Sequence, residues 1–176
     1  RVIDATTSFY LNDNANIHRG SYELSDRTTT LYEHARQTVK EFLHAPDQYE
    51  AVFTQGATEA LNIVAQCWCA DNLRAGDEIL LSEMEHHANI VPWQFMAEKT
   101  GTKIRVAKIT PNGELDLDDF DAKLSERTKI VSIAHASNVL GTVNDIALLC
   151  QKAKKFGAKF SVDAAQSSPH FLDDLR

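Results

Sequence analysis

Residues 81–94, with the sequence LSEMEHHANIVPWQ, join a strand end, a polar loop and a helix start. The apolar run EILLS leads into two acidic residues and the adjacent histidines His86 and His87, after which Asn89 and Pro92 open a helical pattern. In proteins that alternate strands and helices, ligands bind beyond the carboxyl ends of the strands. We therefore expect one histidine to face a ligand while the other turns toward protein. A surface loop that happens to hold two histidines is the alternative.

The composition is that of a globular protein with a real core. Hydrophobic residues make up 43% of the 176 residues, and the net charge is −7, from 18 basic and 25 acidic residues without long runs. This charge argues against nucleic acid or an anionic membrane as a partner. The apolar runs are too short to span a bilayer, and the pattern of a signal peptide is absent. We expect a soluble, cytoplasmic protein.

The three cysteines, Cys67, Cys69 and Cys150, show neither a disulfide framework nor a zinc pattern. Their odd number, the C-x-C spacing and the absence of a CxxC pair favour reduced, buried thiols. A metal site in the EMEHH stretch is also disfavoured, because adjacent histidines on one loop rarely point at one ion and the HExxH spacing is absent. We expect no metal.

The hydrophobic pattern predicts five strands separated by helices or long connections. Such an order is typical of an α/β fold with a mainly parallel sheet, right-handed crossovers and helices on both faces. The predicted strands are residues 51–54, 78–82, 103–109, 129–135 and 158–163. The predicted helices are residues 1–11 as a helix end, 25–45 with Ser25 as N-cap, 58–70, 90–100, 116–124 and 146–156.

A turn of small residues, Gly56-Ala57-Thr58-Glu59, links the first predicted strand to a helix. Small residues let the backbone approach a ligand, and the free N–H groups of a helix start, with the Thr58 hydroxyl, suit a phosphate. The turn lacks GK[ST] and G-x-G-x-x-G, which disfavours a nucleotide. A capped helix without a ligand is the alternative interpretation.

Asp163 ends the last predicted strand, in the sequence VDAAQ. A carboxylate at this edge, between apolar residues and two alanines, would be partly desolvated and would seek a cation. A protonated ring nitrogen suits it, because an acid there keeps a pyridinium charged, and a charged pyridinium makes pyridoxal phosphate an electron acceptor. Alternatively, Asp163 caps the following segment.

Other polar residues follow the fourth predicted strand or lie in the first loop. Asn138, in ASNVLGT, offers an amide donor to a carboxylate or phenolate oxygen, and an Asx-turn is the alternative. His135, on the strand itself, is expected to pack. His18 and Arg19 are placed to reach an anionic substrate, or are simply solvated.

Five motifs give the chain a family resemblance. In the order and near the spacing of cysteine desulfurases and selenocysteine lyases, it contains HRGSYELS, TQGATEALN, GDEILLSEMEHHANIVPWQ, SNVLGT and VDAAQSSPH. The chain resembles this class V aminotransferase-like family of pyridoxal-phosphate enzymes, in the branch that carries EMEHHANIVPWQ. The resemblance covers the whole chain. It implies that residues 1–176 are part of the large, cofactor-binding domain of a fold-type I transferase.

The resemblance also implies a role for each site residue. Ala57 and Thr58 would bind the phosphate of pyridoxal 5'-phosphate. His86 would stack on the cofactor ring and act as an acid or base. Asp163 would pair with the ring nitrogen, and Gln166 would bond to the phenolic oxygen.

On the substrate side, the resemblance implies that Asn138 holds the substrate carboxylate. His18 and Arg19 would line the substrate side near a dimer interface. The implied reaction removes sulfur or selenium from L-cysteine or L-selenocysteine and leaves alanine and an enzyme persulfide. A homodimer, a sulfur-acceptor protein and a role in iron–sulfur cluster assembly are implied as well.

Several family features have no counterpart in residues 1–176. They are the lysine of a Ser-Gly-His-Lys segment that binds the cofactor, the nucleophilic cysteine, the arginine that clamps the substrate carboxylate, the small C-terminal domain and a short N-terminal segment. We therefore expect an N-terminal fragment that is inactive alone. Another class V aminotransferase-like enzyme and a non-catalytic fragment that only binds a partner are the two alternatives.

Overall fold

The structure is a computed structural model that describes residues 1–171, and these residues form two units, Arg1–Phe53 and Thr54–Phe171. The first unit contains two helices, α1 at Val2–Asn12 and α2 at Glu23–Phe42. Both were predicted from the hydrophobic pattern. No helix among the described residues has the length and apolar character that a membrane span requires.

Two predictions at the local level are wrong. Ser25 is not the N-cap of α2, because the helix begins after Tyr22 and the buried Ser25 hydroxyl donates to a carbonyl in the preceding loop. Residues 51–54, which all lie in the described part of the chain, form no strand. The Ala51 carbonyl accepts a hydrogen bond of 2.7 Å from a side chain, Arg36 Nε, rather than from a strand N–H.

The second unit is built on a four-stranded sheet in which all three neighbouring pairs are parallel. The strands are β1 at Glu78–Ser82, β2 at Lys103–Ala107, β3 at Thr128–Ala134 and β4 at Lys159–Asp163. Their order in the sheet is β2-β1-β3-β4. The mainly parallel sheet is therefore confirmed, with four strands rather than five in the described residues, and the carboxyl ends of all four lie at one edge.

Helices connect the strands of the second unit. They are α3 at Ala57–Ile63, α4 at Cys69–Asn72, α5 at Val91–Thr100, α6 at Leu117–Lys123 and α7 at Ile146–Lys154. A π-helical turn, Val64–Trp68, separates α3 from α4, so the helix predicted over 58–70 is not regular. Ala65, in the π turn, and Cys69, the first residue of α4, are both fully buried.

Two clusters of buried side chains cover the two faces of the sheet, because successive strand residues point to opposite sides. One cluster joins the sheet to α6 and α7 and includes Leu80, Val131, Ile133, Phe120, Leu124, Leu149 and Ala153. The other joins the sheet to the α3–α4 segment and α5 and includes Ile79, Leu81, Ile130, Ala65, Cys69, Leu73, Trp93 and Met96. Helices lie on both faces of the sheet, as predicted.

Phe120 provides a test of the first cluster, since its side chain is fully buried there. We expect Phe120→Ala to lower the free energy of unfolding by about 3–5 kcal/mol, because the truncation leaves a cavity in a packed core. Phe95→Ala is the matched control, since Phe95 is 66% exposed and its truncation should change the value by no more than about 0.5 kcal/mol. Chemical denaturation measures both variants, and equal losses would contradict the assignment of this core.

Candidate functional site

A pocket of about 180 Å³ lies at the carboxyl-terminal edge of the sheet in the second unit. It is formed by the start of α3, the loop after β1 and the ends of β3 and β4. Its lining residues are Ala57, Thr58, His86, Ala88, Ala134, Ala136, Asn138, Asp163, Ala165 and Gln166. All the predicted site residues except His18 and Arg19 therefore meet around one pocket.

The start of α3 gives this pocket a polar wall. Gly56 precedes the helix with a φ of 152°, a conformation that favours glycine. Ala57 and Thr58 are the first two helical residues, and the N–H groups of a first turn have no partner within the helix. The Glu59 carboxylate reaches back to accept a hydrogen bond of 2.5 Å from the Gln55 N–H, which closes the turn. Thr58 thus stands at the pocket with a hydroxyl and an N–H.

His86 and His87 have different surroundings, since only His86 lines the pocket, although both side chains are exposed. His86 Nδ1 accepts a hydrogen bond of 3.1 Å from the Ala88 N–H. The His86 carbonyl accepts one of 2.7 Å from the Asn89 N–H, at the entry of a short 3₁₀ turn, His87–Asn89. Because an accepting Nδ1 carries no proton, the proton of the neutral His86 ring is on Nε2.

Asp163 is the last residue of β4, and it is buried, with 8% of its surface exposed. Its Oδ1 atom accepts a hydrogen bond of 3.0 Å from the Ala165 N–H. Within residues 1–171, no hydrogen bond to a protein group is recorded for Oδ2. Asp163 therefore does cap the following turn, as the alternative interpretation expected, and the same carboxylate has an acceptor oxygen left for a ligand.

Asn138 and Gln166 both line the pocket. The loop that carries Asn138 is closed by the neighbouring Ser137, whose Oγ accepts hydrogen bonds from the Val139 and Leu140 N–H groups at 3.3 and 3.2 Å. The Asx-turn that was the alternative for Asn138 is not found among the hydrogen bonds of residues 1–171, where the Ser137 side chain closes the turn. The Asn138 amide is therefore not required for the shape of its own loop.

Glu85 is a buried carboxylate that sequence reasoning considered only as a metal ligand. Burial raises the pKa of Glu85, and the negative charge of Asp163 raises it further, whereas hydrogen bonds from Ser82, Asn89 and Ala134 act in the opposite direction. The Asn89 side chain donates to Glu85 and accepts from Trp93, and Glu85 lies before the 3₁₀ turn, so no helical spacing in the sequence marks this acid. Among the described residues, no group of three or more His, Cys, Asp or Glu residues could hold a metal.

His18 and Arg19 lie in the first unit and are not among the residues that line this pocket. His18 Nε2 lies 3.1 Å from Glu33 Oε1, and the backbone N–H of His18 donates to Thr29 Oγ1 at 3.1 Å. His18 has a positive φ of 62°. His18 therefore contacts protein groups and is not simply solvated. The substrate roles of His18 and Arg19 stay predictions.

Comparison with known proteins identifies the family of this chain. The model of the family "Aminotransferase class-V" matches residues 1–176. The chain belongs to this family. A probable cysteine desulfurase from Synechocystis sp. is 46% identical over 175 residues, which are 99% of this chain and 42% of that relative. This class-V chain thus spans less than half the length of that relative.

Solved structures agree with the fold of this class-V chain. The apo structure of the cysteine desulfurase from Thermococcus onnurineus NA1 superposes with a TM-score of 0.91 and 38% identity, over 99% of this chain and 43% of the other. A C-DES mutant with glycine covalently linked to its PLP cofactor has a TM-score of 0.80 and 23% identity, over 98% of this chain and 45% of the other. At that identity, the second likeness concerns the fold alone.

The three cysteines of this class-V chain differ in exposure, and none of them lines the pocket. Cys69 is buried in the core, Cys150 is half-buried and Cys67 is exposed, so the expectation of buried thiols is wrong for Cys67. None of the three forms a disulfide. Burial raises the pKa of the Cys69 thiol from 9.0 to about 11, and only a thiolate is an effective nucleophile.

Thiol labelling measures this difference. At pH 8 a thiol with a pKa of about 11 is ionised to about one part in a thousand, so we expect iodoacetamide to modify Cys67 in the folded protein and to leave Cys69 unmodified. Fragment-ion mass spectrometry distinguishes the two positions. Labelling in denaturant is the control and should modify both. Equal labelling of the two thiols in the folded protein would contradict the burial of Cys69.

Proposed function

We propose that the chain is part of a pyridoxal-phosphate-dependent cysteine desulfurase, which removes sulfur from L-cysteine and leaves alanine. The observation that carries this proposal is the single pocket in which Thr58, His86 and Asp163 meet. Membership in the class-V family and 46% identity to a probable cysteine desulfurase support it. The solved relative that carries PLP supports the cofactor at the level of the fold.

The residues of the pocket fit pyridoxal phosphate. The Asp163 carboxylate is buried, and one of its oxygens is not used by the hydrogen bond of its own turn. This oxygen suits a protonated ring nitrogen. Besides Ala57, four alanines line the pocket and leave space for a flat ring, which a larger side chain would reduce: Ala88, Ala134, Ala136 and Ala165. The Thr58 hydroxyl, with the adjacent Ala57 backbone, suits the phosphate.

The side chains of this chain have distinct tasks in the proposed reaction. When bound, the cofactor supplies a positively charged ring that accepts the electron pair left at the substrate Cα. Asp163 would hold the proton at the ring nitrogen and so keep the ring charged. His86 would lie against the ring and would hold or release a proton at Nε2, since Nδ1 accepts from the Ala88 N–H.

The other polar residues orient the two molecules. The Gln166 amide would donate to the phenolic oxygen of the cofactor, and the Asn138 amide would donate to the substrate carboxylate; both residues line the pocket. We also assign His18 and Arg19 to the substrate side, on the family resemblance alone. No cysteine among residues 1–171 lines the pocket, so we assign sulfur uptake to none of Cys67, Cys69 and Cys150.

The proposal extends to the setting of the full-length protein. Its substrates are L-cysteine or L-selenocysteine, and its sulfur passes to an acceptor protein and on to iron–sulfur cluster assembly. A cytoplasmic homodimer is the proposed form. The chain spans less than half the length of its relatives. We therefore assign the thiol that receives sulfur and the lysine that binds the cofactor to other parts of the full-length protein.

The direct test uses the full-length protein supplied with pyridoxal phosphate. We expect a visible absorbance band of bound cofactor. With dithiothreitol added to reduce the enzyme persulfide, we expect equal amounts of alanine and sulfide from L-cysteine. L-Selenocysteine is assayed in parallel for selenide. A keto-acid product without sulfide would indicate another class-V enzyme, and cofactor-free protein without product would indicate a non-catalytic chain. Either result would overturn the proposed activity.

Asp163→Asn tests the role of the buried acid. The amide is nearly the same size but cannot stabilise a protonated ring nitrogen as a carboxylate does, so turnover of L-cysteine should fall by about 10- to 100-fold, the equivalent of one charge-assisted hydrogen bond. Asp71→Asn is the matched control, because Asp71 is exposed in α4. Steady-state kinetics measure both, and a fully active Asp163→Asn enzyme would remove Asp163 from the mechanism.

A further inference from the structure

Glu85 lies between β1 and β3, immediately before His86 in the chain, and it is 8% exposed. Three donors reach its carboxylate. Ser82 Oγ donates to Oε1 at 2.5 Å, and Asn89 Nδ2 and the Ala134 N–H donate to Oε2 at 2.7 and 2.8 Å. One side chain thus connects the end of β1, the turn after His86 and the wall of the pocket.

The hydrogen-bond network continues beyond Glu85. The Asn89 Oδ1 atom accepts from Trp93 Nε1 at 2.9 Å and from Ser132 Oγ at 2.6 Å. Asn89, Trp93 and Ser132 are fully buried. A buried polar network whose members all have partners permits few alternative arrangements, because every shift breaks a bond that water cannot replace. The network therefore holds Glu85 in one position.

Ala134 shows why this position matters for the pocket. β1 and β3 are paired as far as Leu80 and Val131, and further along β3 the Ala134 N–H bonds to the Glu85 carboxylate instead of to a strand. On its other side, Ala134 is in register with Asp163 of β4. Ala134 also lines the pocket. Glu85 and Asp163 are therefore linked to the two sides of the same wall residue.

We propose that Glu85 is a positioning residue that fixes the spacing between His86 and Asp163 across the pocket. Its carboxylate ties the backbone that carries His86 to the strand residue that stands beside Asp163. The inference rests on the proposed function, since the two side chains are assigned to one cofactor ring. Nothing in the proposed mechanism uses Glu85 to contact the cofactor, so its effect passes through His86 and Ala134.

Two substitutions separate the geometry of this tie from its charge. Glu85→Gln keeps the length of the side chain: its oxygen can accept from Asn89 and Ala134, and its amide can donate to the Ser82 hydroxyl. Glu85→Asp keeps the charge, but it is one methylene shorter and cannot reach all three donors. A positioning role predicts that Glu85→Gln keeps the orientation of the cofactor and the turnover, and that Glu85→Asp loses both. A purely electrostatic role predicts the reverse.

The experiment uses the full-length protein loaded with pyridoxal phosphate. Visible circular dichroism per bound cofactor reports the orientation of the ring, and kinetics with L-cysteine report turnover. For Glu85→Asp we expect a loss of the visible signal and a kcat lower by about 10- to 100-fold, as for a displaced reacting group, with KM changed by less than about twofold. For Glu85→Gln we expect both readouts within about twofold of wild type. Thermal unfolding accompanies each variant.

Two further variants complete the design. Glu83→Asp is the matched control, because Glu83 is an exposed acid of the same loop whose carboxylate accepts from the Ile109 N–H at 3.0 Å, and its signal should equal wild type. Ser82→Ala removes one of the three donors and serves if Glu85→Asp does not fold. Its dichroism should change in the same direction as predicted for Glu85→Asp, and by less.

Each outcome decides the inference. Three outcomes would overturn the positioning role alone. One is wild-type dichroism in Glu85→Asp, and another is a loss of dichroism in Glu85→Gln as large as in Glu85→Asp. The third applies if Glu85→Asp does not fold, and it is unchanged dichroism in Ser82→Ala. A wild-type protein that binds no pyridoxal phosphate would overturn the proposed function and this inference with it. Lower thermal stability with unchanged dichroism and kinetics would make Glu85 a structural residue only.

Discussion

The parallel alignment of β1, β3 and β4 is the constraint on which the site depends. Parallel pairing brings the carboxyl ends of strands that are distant in sequence to one edge of the sheet, and Ser82, Ala134 and Asp163 are the last residues of these strands. Beyond them the chain leaves the sheet, and the space between the departing segments is the pocket. The two packed faces of the sheet keep this edge rigid, because core side chains on both sides resist any shift of a strand.

Two buried carboxylates at this edge, those of Glu85 and Asp163, differ in whether they serve structure or binding. The Glu85 carboxylate accepts three hydrogen bonds from protein groups, which offset part of the cost of its burial. One oxygen of the Asp163 carboxylate accepts a hydrogen bond within its own turn, and the other is available at the pocket. A ligand cation would complete the partners of Asp163, whereas Glu85 needs none.

The sequence predicted those parts of the fold that depend on local pattern. The wholly buried run EILLS was predicted with the bounds that β1 has, and the loop after it was expected to carry a ligand site. Residues 51–54 have strand-like composition but pair with no strand among residues 1–171, and no local pattern reveals this. Ser25 is a residue type favoured at N-caps, yet a tertiary hydrogen bond uses its hydroxyl. Glu85 bonds to Ala134, 49 residues away, and contacts at such separation are not encoded in spacing.

The edges of the sheet differ in how they resist self-association. β2 forms one edge and carries Lys103 and Arg105, charged side chains of the kind that discourage a second sheet from adding. β4 forms the other edge, with the sequence KFSVD and a partly exposed Val162, and its outer backbone groups face no further strand within residues 1–171. Because an edge strand presents unpaired N–H and C=O groups, the outer side of β4 is the place where a strand from another molecule would add to this sheet.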